Sequence, residues 1–234
     1  MIVSINQPAY LPWLGYFDRI IKSDVHVVLD HVQFEKNSMV NRNKIRTAQG
    51  HTMLTVPVRT KGKFGDLAID ALEIDCNQRW AGKHMKSVQG AYAKAPYFKE
   101  HWPFFEDIYG REWTGLHPLM REITAYFLQS FEIETKILYS SDMGAGGEKA
   151  DLVLNICKDL DAKTYVSGPF GRDYLDEAVF QREGIALVFQ DYNHPEYPQF
   201  HGGFEPYMSA LDLLMNCGPD SLAVLEDKEA SWLM

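Results

Sequence analysis

The order of the elements in the first 30 residues is the feature that most constrains the fold. Residues 1–5 form a short apolar run, which favours a buried strand, and residues 25–29 form a second, β-branched run. Between them, residues 15–23 carry large apolar side chains at helical spacing. Parallel strands need a crossover connection, and a helix between two strands is typical of a βαβ unit. The opening segment therefore predicts parallel strands joined by a right-handed crossover, with ligands at the carboxyl ends of the strands.

The same alternation continues along the chain. Further strands are predicted over residues 52–58, 67–74, 134–140, 164–167 and 185–190, and helices over residues 149–160, 209–216 and from Asp220 onward. Between residues 78 and 129 the apolar spacing is helical, with breaks predicted at Pro96 and Pro118. This alternation predicts an α/β fold: a mostly parallel, Rossmann-like sheet flanked by helices, with a helical insertion in the middle of the chain.

The length and composition predict one domain over residues 1–234, because 46% of the residues are hydrophobic and can fill a core of ordinary size. Two tightly fused lobes are the alternative. We divide the domain into an N-terminal α/β part (1–76), a helical insertion (77–130), a C-terminal α/β part (131–216) and a C-terminal tail (217–234). No apolar run approaches the roughly 20 residues of a membrane-spanning helix, so no membrane insertion is expected. The N-terminus lacks the features of a secretion signal.

The charge of the chain excludes one class of partner. A formal net charge of −9 argues against general binding to nucleic acid, whose affinity depends on neutralising phosphates with lysine and arginine. A local basic pocket for one phosphorylated metabolite is compatible with this charge. Cys76, Cys157 and Cys217 lie far apart without a CxxC pair, so we expect no structural zinc site. Their odd number, without a secretion signal, predicts reduced thiols in the cytoplasm.

A rigid, aromatic loop follows the first predicted strand. Pro8 and Pro12 restrict its backbone, and Gly15 permits the close approach of a ligand at the start of the helix. The polar and aromatic side chains predicted to form a wall of a substrate site are Asn6, Gln7, Tyr10, Trp13 and Tyr16. The unpaired N–H groups of the helix start favour an anion nearby. The alternative is a proline-stiffened turn whose aromatic rings fill the core.

A dense polar set follows the second predicted strand. Asp30 comes directly after that strand and is a candidate base, and Arg42 has the planar fork that clamps phosphate or carboxylate. The amide side chains of the set are suited to sugar hydroxyl groups. The substrate-binding candidates are Gln33, Lys36, Asn41, Arg42, Asn43 and Lys44. The alternative is an exposed, turn-rich loop, since asparagine and aspartate favour turns.

Another candidate loop contains Ser167 and Gly168, which end a later strand. The backbone there can form a concavity of N–H groups for an anion, and Tyr174 follows as a further substrate-binding candidate. The glycine spacing fits neither a Walker loop nor a dinucleotide fingerprint. A plain strand–turn–helix junction is therefore the alternative.

The last polar loop holds two histidines after a predicted strand. His194 and His201 are candidate general bases by residue type, since histidine titrates near neutral pH. We assign His194 as catalytic, and His201, Tyr197 and Gln199 as substrate-binding. A structural hydrogen-bonding role is the alternative for each histidine. The spacing matches no metal motif, so we assign no metal ligand.

Short blocks along nearly the whole chain match one known pattern. They are Gln7-Pro8, residues 10–17, Ser23-Asp24, residues 30–34 with Lys36, residues 41–43, residues 96–98, Ser140-Ser141, Ile156-Cys157, residues 165–168, Tyr174-Leu175, Gly184-Ile185, and residues 194–197 with Gln199. Through these blocks the chain resembles the WbqC-like protein family. That family usually places a histidine directly before Gln-Pro, where this chain has Asn6. An aromatic residue is also common in the family before Asn41, where this chain has Met39 and Val40.

The resemblance implies a place in the biosynthesis of O-antigen and other surface polysaccharides. It implies decoration of a sugar, with amide-forming acyl or aminoacyl transfer to an amino sugar. On this basis we expect a transferase that acts on a nucleotide-linked amino sugar, with Asp30 or His194 as the base. The basic side chains after the second strand would hold a diphosphate, and nearby amides or backbone N–H groups would stabilise an oxyanion.

Two other interpretations stay open. The strand, proline-rich loop, helix and second strand have the layout of HIGH-type nucleotidyltransferases or adenylate-forming ligases, although Tyr16 stands where their histidine would follow the glycine. Only that interpretation implies a cofactor, ATP with magnesium. The other interpretation is a non-catalytic module that binds a sugar nucleotide. In each case the partner is a small-molecule sugar or an activated donor, and the sequence leaves a homo-oligomer open.

Overall fold

The computed structural model describes residues 1–60, 62 and 67–227, and the chain divides into two units. The first unit comprises residues 1–7, 15–31 and 134–193. The second unit comprises residues 8–14, 32–133 and the chain from residue 194 onward. The chain therefore passes between the units several times, and the helical segment predicted over residues 77–130 belongs to the second unit.

The described elements alternate between strands and helices over much of the chain. The strands are β1 (Ile2–Asn6), β2 (Val25–Val28), β3 (Arg42–Thr47), β4 (Gly50–Thr55), β5 (Lys136–Tyr139), β6 (Thr164–Ser167) and β7 (Ala186–Phe189). The α-helices are α1 (Leu14–Ile21), α2 (Trp80–Tyr92), α3 (Phe98–Gly110), α4 (Leu116–Ser130), α5 (Lys149–Asp159), α6 (Glu177–Arg182), α7 (Ala210–Cys217) and α8 (Ser221–Leu225). Short 3₁₀ turns cover Ser140–Asp142, Pro169–Asp173 and Gly218–Asp220.

The first unit is built on a five-stranded sheet in the order β5-β2-β1-β6-β7. Its neighbouring strands are parallel: Val3 of β1 pairs with Val25 of β2 on one side and with Tyr165 of β6 on the other. Every residue of β2 is buried, as expected of a parallel strand that is covered on both faces. These observations confirm the predicted α/β fold with a mostly parallel sheet flanked by helices.

The order of the strands reverses beside β1. From β1 the chain passes through α1 to β2 on one side, whereas β6 and β7 lie on the other side. In open α/β sheets, ligands bind outside the carboxyl ends of the strands at such a reversal. The carboxyl ends of β1 and β6 are therefore the place in this unit where a ligand is expected.

The second unit contains an antiparallel hairpin of β3 and β4 together with α2, α3, α4, α7 and α8. The hairpin turns at Ala48 and Gln49, and Gly50, the first residue of β4, has a φ of +116°, a conformation that glycine adopts without strain. In α2 the buried face includes Trp80, His84, Val88 and Ala91, whose spacing agrees with the helical periodicity predicted between residues 78 and 129.

The structure corrects two predictions of local structure in the second unit. Residues 67–74 form turns and single bridges instead of a strand, because the chain turns at Asp70 and Ala71 while it still buries its apolar side chains. Pro118 breaks no helix, because α4 begins at Leu116 and a proline in the first helical turn loses no intrahelical hydrogen bond. In addition, the polar residues from Arg42 onward form β3, so they are not the turn-rich loop that stood as the alternative.

Two further properties concern the state of the cysteines and the length and polarity of the helices. All three cysteines are free, and burial raises the pKa of Cys157 and of Cys217 to about 12. None of the helices in the described part of the chain combines the length and the apolar character that crossing a membrane requires.

Candidate active site

Polar residues gather at the carboxyl edge of the parallel sheet in the first unit. They lie at or just after the ends of four strands: Asn6 and Gln7 at β1, Asp30 and His31 after β2, Ser140 and Ser141 after β5, and Ser167 and Gly168 at β6. We call this set the carboxyl-edge cluster. Because parallel strands point the same way, Gln7, Asp30 and Ser167 share one edge of one sheet. Arg42 and His194, by contrast, belong to the second unit.

Asp30 joins the end of β2 to the end of β5. Its carboxylate is buried and accepts from the hydroxyl of Ser140 at 2.9 Å and from the backbone N–H of Ser141 at 2.9 Å, both on Oδ1. The hydroxyl of Ser141 donates to Oδ2 at 2.8 Å. Hydrogen bonds to charged groups contribute about 1.5–3 kcal/mol each. The carboxylate therefore fixes both serines at the start of the 3₁₀ turn after β5.

The hydrogen bond between Ser140 and Asp30 decides which ring nitrogen of His31 faces an acceptor. The Ser140 hydroxyl has one proton, which it donates to Asp30, so its oxygen is an acceptor toward other partners. Those partners are the backbone N–H of Asp30 at 3.1 Å and Nδ1 of His31 at 2.7 Å. Nδ1 therefore carries the proton, and Nε2 keeps its lone pair and bonds to no described residue. A half-buried histidine whose Nε2 keeps its lone pair is suited to act as a general base.

The neighbouring strands β1 and β6 supply further polar groups. Ser167 is buried, and its hydroxyl donates to the carbonyl of Gly168 at 3.2 Å. A Cβ atom on Gly171 would lie 2.0 Å from Oγ of Ser167, so this turn needs a glycine there. Asn6 and Gln7 are partly exposed, and neither side chain bonds to a described residue. Their amides are therefore available to a ligand at this edge.

The aromatic side chains predicted around the N-terminal loop are mostly buried. In the second unit, the hydroxyl of Tyr10 lies 2.8 Å from Nδ1 of His84 and 2.7 Å from the hydroxyl of Tyr109. Burial lowers the pKa of His84 to about 4, so this histidine is neutral at neutral pH. Tyr16, in the first unit, is 2% exposed, whereas Trp13, in the second, is partly exposed. Of these rings, Trp13 keeps the most surface for a ligand.

The Asn-Arg-Asn segment divides its side chains between the core and a pocket of the second unit. Asn41 and Asn43 are buried, and their amides donate to the carbonyls of Val56 at 2.8 Å and Leu11 at 2.5 Å. Both amides thus hold the backbone of this unit together. Arg42 is partly exposed, because successive residues of a strand point to opposite faces.

A pocket of about 250 Å³ opens beside Arg42 in the second unit, and we call it the Arg42 pocket. Nη2 of Arg42 donates to the carbonyl of Asn37, and Lys36 adds a second cationic side chain to the lining. The other lining residues are neutral: Phe34, Asn41, Thr55, Pro57, Val58, Thr60 and Gln78. None of the described lining residues is acidic or a histidine, so the pocket offers cations but no base.

Other predicted binding residues of the second unit hold its loops in place. Gln33 accepts from the backbone N–H of Leu67 at 2.9 Å. Nε2 of His201 donates to the carbonyl of Ala91 at 2.7 Å. Lys44 is partly exposed on β3. Gln33 and His201 therefore contribute to local structure.

Both ring nitrogens of His194 are bonded to the backbone. Nδ1 donates to the carbonyl of Pro195 at 2.8 Å, and Nε2 accepts from the backbone N–H of Tyr207 at 3.0 Å. Burial lowers the pKa of His194, which keeps the ring neutral. The lone pair that a general base needs is already used, so the geometry favours a structural role for this histidine.

Tyr197 and Gln199 belong to a buried network around Asp212. This carboxylate accepts from the hydroxyls of Tyr92 and Tyr197, each at 2.9 Å, and from Nε2 of Gln199 at 2.9 Å. Burial raises the pKa of Asp212, although these hydrogen bonds oppose the shift. Tyr197 and Gln199 are 5% and 9% exposed, so they stabilise the core of the second unit.

Sequence reasoning assigns no role to three residues of the carboxyl-edge cluster: His31, Ser140 and Ser141. A signal for them exists, since His31 directly follows Asp30, and the strand predicted over residues 134–140 ends at Ser140, which Ser141 follows. Among the residues that the structure describes, no group of three or more histidine, cysteine or acidic side chains is placed to hold a metal ion.

Known proteins match this chain along most of its length. The WbqC-like protein family matches residues 7–224. The uncharacterized protein Rv1507c of Mycobacterium tuberculosis is 37% identical over 221 residues, which cover 94% of this chain and 95% of that protein. No solved structure matches the chain.

Proposed function

The chain belongs to the WbqC-like protein family, and on that premise we propose that it is a transferase that joins an acyl or aminoacyl group to the amine of a nucleotide-linked amino sugar. The observation that carries this proposal is Nε2 of His31, kept available as a base by the pair of Ser140 and Asp30. Its place at the carboxyl edge of a parallel sheet supports a small-molecule site. The resemblance to a family associated with surface polysaccharides supports the amino sugar.

His31 is the general base in this proposal. The amine nitrogen of the sugar attacks the acyl carbon of the donor, and Nε2 of His31 takes the proton that the nitrogen gives up. The C–N bond forms, the bond to the leaving group of the donor breaks, and the imidazolium returns the proton to that leaving group. Asp30 stabilises the imidazolium through Ser140, which accepts from Nδ1–H while it donates to the carboxylate.

The tetrahedral intermediate of this reaction needs donors for its oxyanion. The candidates at the carboxyl edge are the side-chain amides of Asn6 and Gln7 and the backbone N–H groups near Gly168. Asn6 stands where the family usually has a histidine. This chain therefore offers an amide donor at that position in place of a second titratable group.

The two residues that the sequence predicts as catalytic take other roles in this proposal. Asp30 is a positioning residue, because it is buried and its oxygens already accept from two serines. His194 gives way to His31 as the base, because both nitrogens of His194 bond to the backbone.

A second candidate function is nucleotidyl transfer, which the strand order favours. The reversal between β1 and β6 is the place where doubly wound folds hold nucleotides. Nucleotidyl transfer from ATP requires magnesium and releases pyrophosphate, whereas direct acyl transfer needs neither ATP nor magnesium. These requirements separate the two functions in one assay.

The test begins with a thermal-shift screen of the full chain against nucleotide-linked amino sugars, acyl donors and ATP, since a ligand of the folded state raises the melting temperature. Hits are combined in pairs, and the products are identified by mass spectrometry. The expected product is the sugar nucleotide with an added acyl group in amide linkage. Pyrophosphate released with ATP and magnesium supports nucleotidyl transfer instead. Binding without turnover in every pairing contradicts an enzyme and leaves a binding module.

His31→Gln tests the base directly. Turnover is expected to fall by about 10²–10⁴-fold, the usual contribution of general base catalysis, with KM little changed. His51→Gln is a matched control, because His51 is an exposed histidine of the second unit that pairs with Glu205. A His31→Gln protein that works at the wild-type rate would overturn the assignment.

A further inference from the structure

A buried arginine of the first unit has no partner among the described residues. Arg19 of α1 is 6% exposed, its guanidinium forms no hydrogen bond or ion pair with a described residue, and its Nε is enclosed without an acceptor. The adjacent Asp18 does not supply one, because it pairs with Lys22 at 2.7 Å and accepts from Gln190 at 2.5 Å. Arg46, which is also buried, differs: its guanidinium donates to three carbonyls.

The guanidinium of Arg19 reaches the carboxyl edge of the sheet. α1 connects two parallel strands, so it runs back from that edge, and helical side chains lean toward the N-terminal end of their helix. A Cβ atom on Gly168 would lie 2.4 Å from Nη1 of Arg19, so the glycine after β6 leaves room for the guanidinium. The φ of Gly168 is −68°, which any residue adopts, so this glycine contributes space for the guanidinium and no special backbone conformation.

The side chains that act on Arg19 electrostatically are three neutral tyrosines and Asp18, whose carboxylate already pairs with Lys22. Burial raises the pKa of Tyr165, Tyr16 and Tyr174, so each keeps its proton at neutral pH. A buried guanidinium without a hydrogen bond costs stability, because burial removes it from water and no hydrogen-bond acceptor replaces the water. A cost of this kind persists where the charge serves a function.

We propose that Arg19 and the turn at Gly168 form a seat for a phosphoryl group of the substrate. The seat lies at the reversal between β1 and β6, where nucleotides bind in folds of this kind. A guanidinium binds phosphate through two parallel N–H···O bonds, and Tyr174, which is 50% exposed, adds a hydroxyl beside it. That the phosphoryl group belongs to a nucleotide-linked sugar rests on the proposed function, because such a sugar carries a diphosphate. A carboxylate offers the same geometry, so the experiment includes it.

Isothermal titration of the full chain with inorganic pyrophosphate at constant ionic strength measures the seat. The wild type is expected to bind, and Arg19→Met is expected to weaken binding about tenfold or more, the loss of one charged hydrogen-bonding group. Arg19→Lys keeps the charge but loses the fork, so its affinity falls between the two. Malonate provides the carboxylate arm: binding as tight as that of pyrophosphate would overturn the phosphoryl assignment.

Arg172→Met is the matched control for this titration. It removes an exposed arginine from the 3₁₀ turn that follows Gly168, where the guanidinium stacks on the ring of Phe189 at 4.4 Å. Its affinity for pyrophosphate is expected within about twofold of the wild type, because exposed charges contribute little. If Arg172→Met lost as much affinity as Arg19→Met, the loss would reflect the overall positive charge of the protein, and the proposed seat would be overturned.

Thermal unfolding separates an anion seat from an arginine that serves the fold. Arg19→Met removes a buried charge that has no hydrogen bond, so it is expected to raise the melting temperature of the ligand-free protein by about 2–4 °C while it weakens pyrophosphate binding. An arginine needed for the fold would lower that temperature. Gly168→Ala reaches the seat by a second route, because the new Cβ displaces the guanidinium. Wild-type binding by both variants, or no binding by the wild type, would overturn the proposal.

His31→Gln distinguishes a failure of the seat from a failure of the proposed function. His31 is not part of the seat, so this variant is expected to bind pyrophosphate like the wild type while it loses turnover. Arg19-dependent binding by a wild type that forms no amide with any pair of substrates keeps the seat and removes the transferase. Amide formation without Arg19-dependent binding keeps the transferase and removes the seat.

Discussion

The two units each contain an arginine whose Nε lacks a hydrogen-bond partner, and they differ in what surrounds it. Arg19 in the first unit is buried, and its guanidinium bonds to no described residue. Arg42 in the second unit is partly exposed, lines an open pocket and donates to the carbonyl of Asn37. The first unit also holds His31 with an available Nε2, whereas no described residue lining the Arg42 pocket is a base.

Under the proposed function, this difference separates a site for the reaction from a site for binding alone. A cation in a water-poor site attracts an anion with little screening, and a base at the same edge of the sheet allows a reaction on the bound molecule. The Arg42 pocket, of about 250 Å³, attracts anions through two cationic side chains, but salt screens them and no proton acceptor is present in the described lining. We therefore assign the reaction to the carboxyl edge and only binding to the Arg42 pocket.

The largest effect is expected from Asp30→Ala. It leaves the donors of Ser140 and Ser141 without their buried acceptor, so the free energy of unfolding should fall by about 3 kcal/mol or more, and turnover should be lost. Asp212→Ala is the matched control in the second unit, because Asp212 is also buried and accepts three hydrogen bonds. Urea unfolding should show a similar loss of unfolding free energy for both variants. The molecules that stay folded should keep their activity in Asp212→Ala and lose it in Asp30→Ala. If Asp30→Ala and Asp212→Ala lost activity equally, the assignment of the reaction to the first unit would be contradicted.

Ser140→Ala tests the link between Asp30 and His31 without removing the carboxylate. His31 loses the acceptor of Nδ1–H, so its tautomer is no longer fixed, and kcat should fall about 10–100-fold as for other supporting hydrogen bonds. KM should change little. Ser141→Ala is the control, because Ser141 bonds to Asp30 but not to His31, and its kcat should fall less. Steady-state kinetics that show equal kcat for both variants would contradict the relay.

The strands of the first unit are predictable because each is a local apolar run. β1 and β2 lie within one residue of the predicted bounds at each end. The hairpin of the second unit is not predictable in this way: β3 is mostly polar, and it buries Asn43 and Ile45 only because it pairs with β4. For residues 67–74 the prediction is wrong in the opposite direction. Their apolar side chains predict a strand, but they are buried in turns.

The candidate site is predictable by position but not by partner. Asp30 and Ser167 follow apolar runs, and this alone places them at the carboxyl edge. The bond between Asp30 and Ser140 joins residues 110 positions apart and depends on β5 lying next to β2, an order that no local pattern encodes. The backbone groups that occupy both nitrogens of His194 are hidden from sequence for the same reason, because loop geometry decides them.

Each unit also buries a neutral histidine, so acid is expected to destabilise both. Burial lowers the pKa of His26 in the first unit to about 3 and that of His84 in the second to about 4. Because these pKa values lie below that of an unfolded histidine, about 6.5, the stability is present above that pH and is lost as the pH falls toward the folded value. For His26 the loss between about pH 6.5 and about pH 5 is about 2 kcal/mol. Urea unfolding of His26→Gln, and of His84→Gln as its counterpart, should show a shallower pH dependence than the wild type; parallel curves would contradict this account.

The smallest effect is expected in the Arg42 pocket. Arg42→Met should weaken pyrophosphate binding in the Arg42 pocket about 2–5-fold, since partly exposed charge pairs contribute about 0.2–1 kcal/mol. This contribution should disappear between about 0.05 M and about 0.5 M NaCl, whereas that of the buried Arg19 should persist because screening acts less on buried charges. Gln78→Ala, which alters the same lining without a change in charge, is the control. Titrations of these variants at both salt concentrations measure the difference. If Arg42→Met abolished binding at both and Arg19→Met did not, the phosphoryl seat would belong to the second unit, and the assignment of chemistry and binding to the two units would have to be reversed.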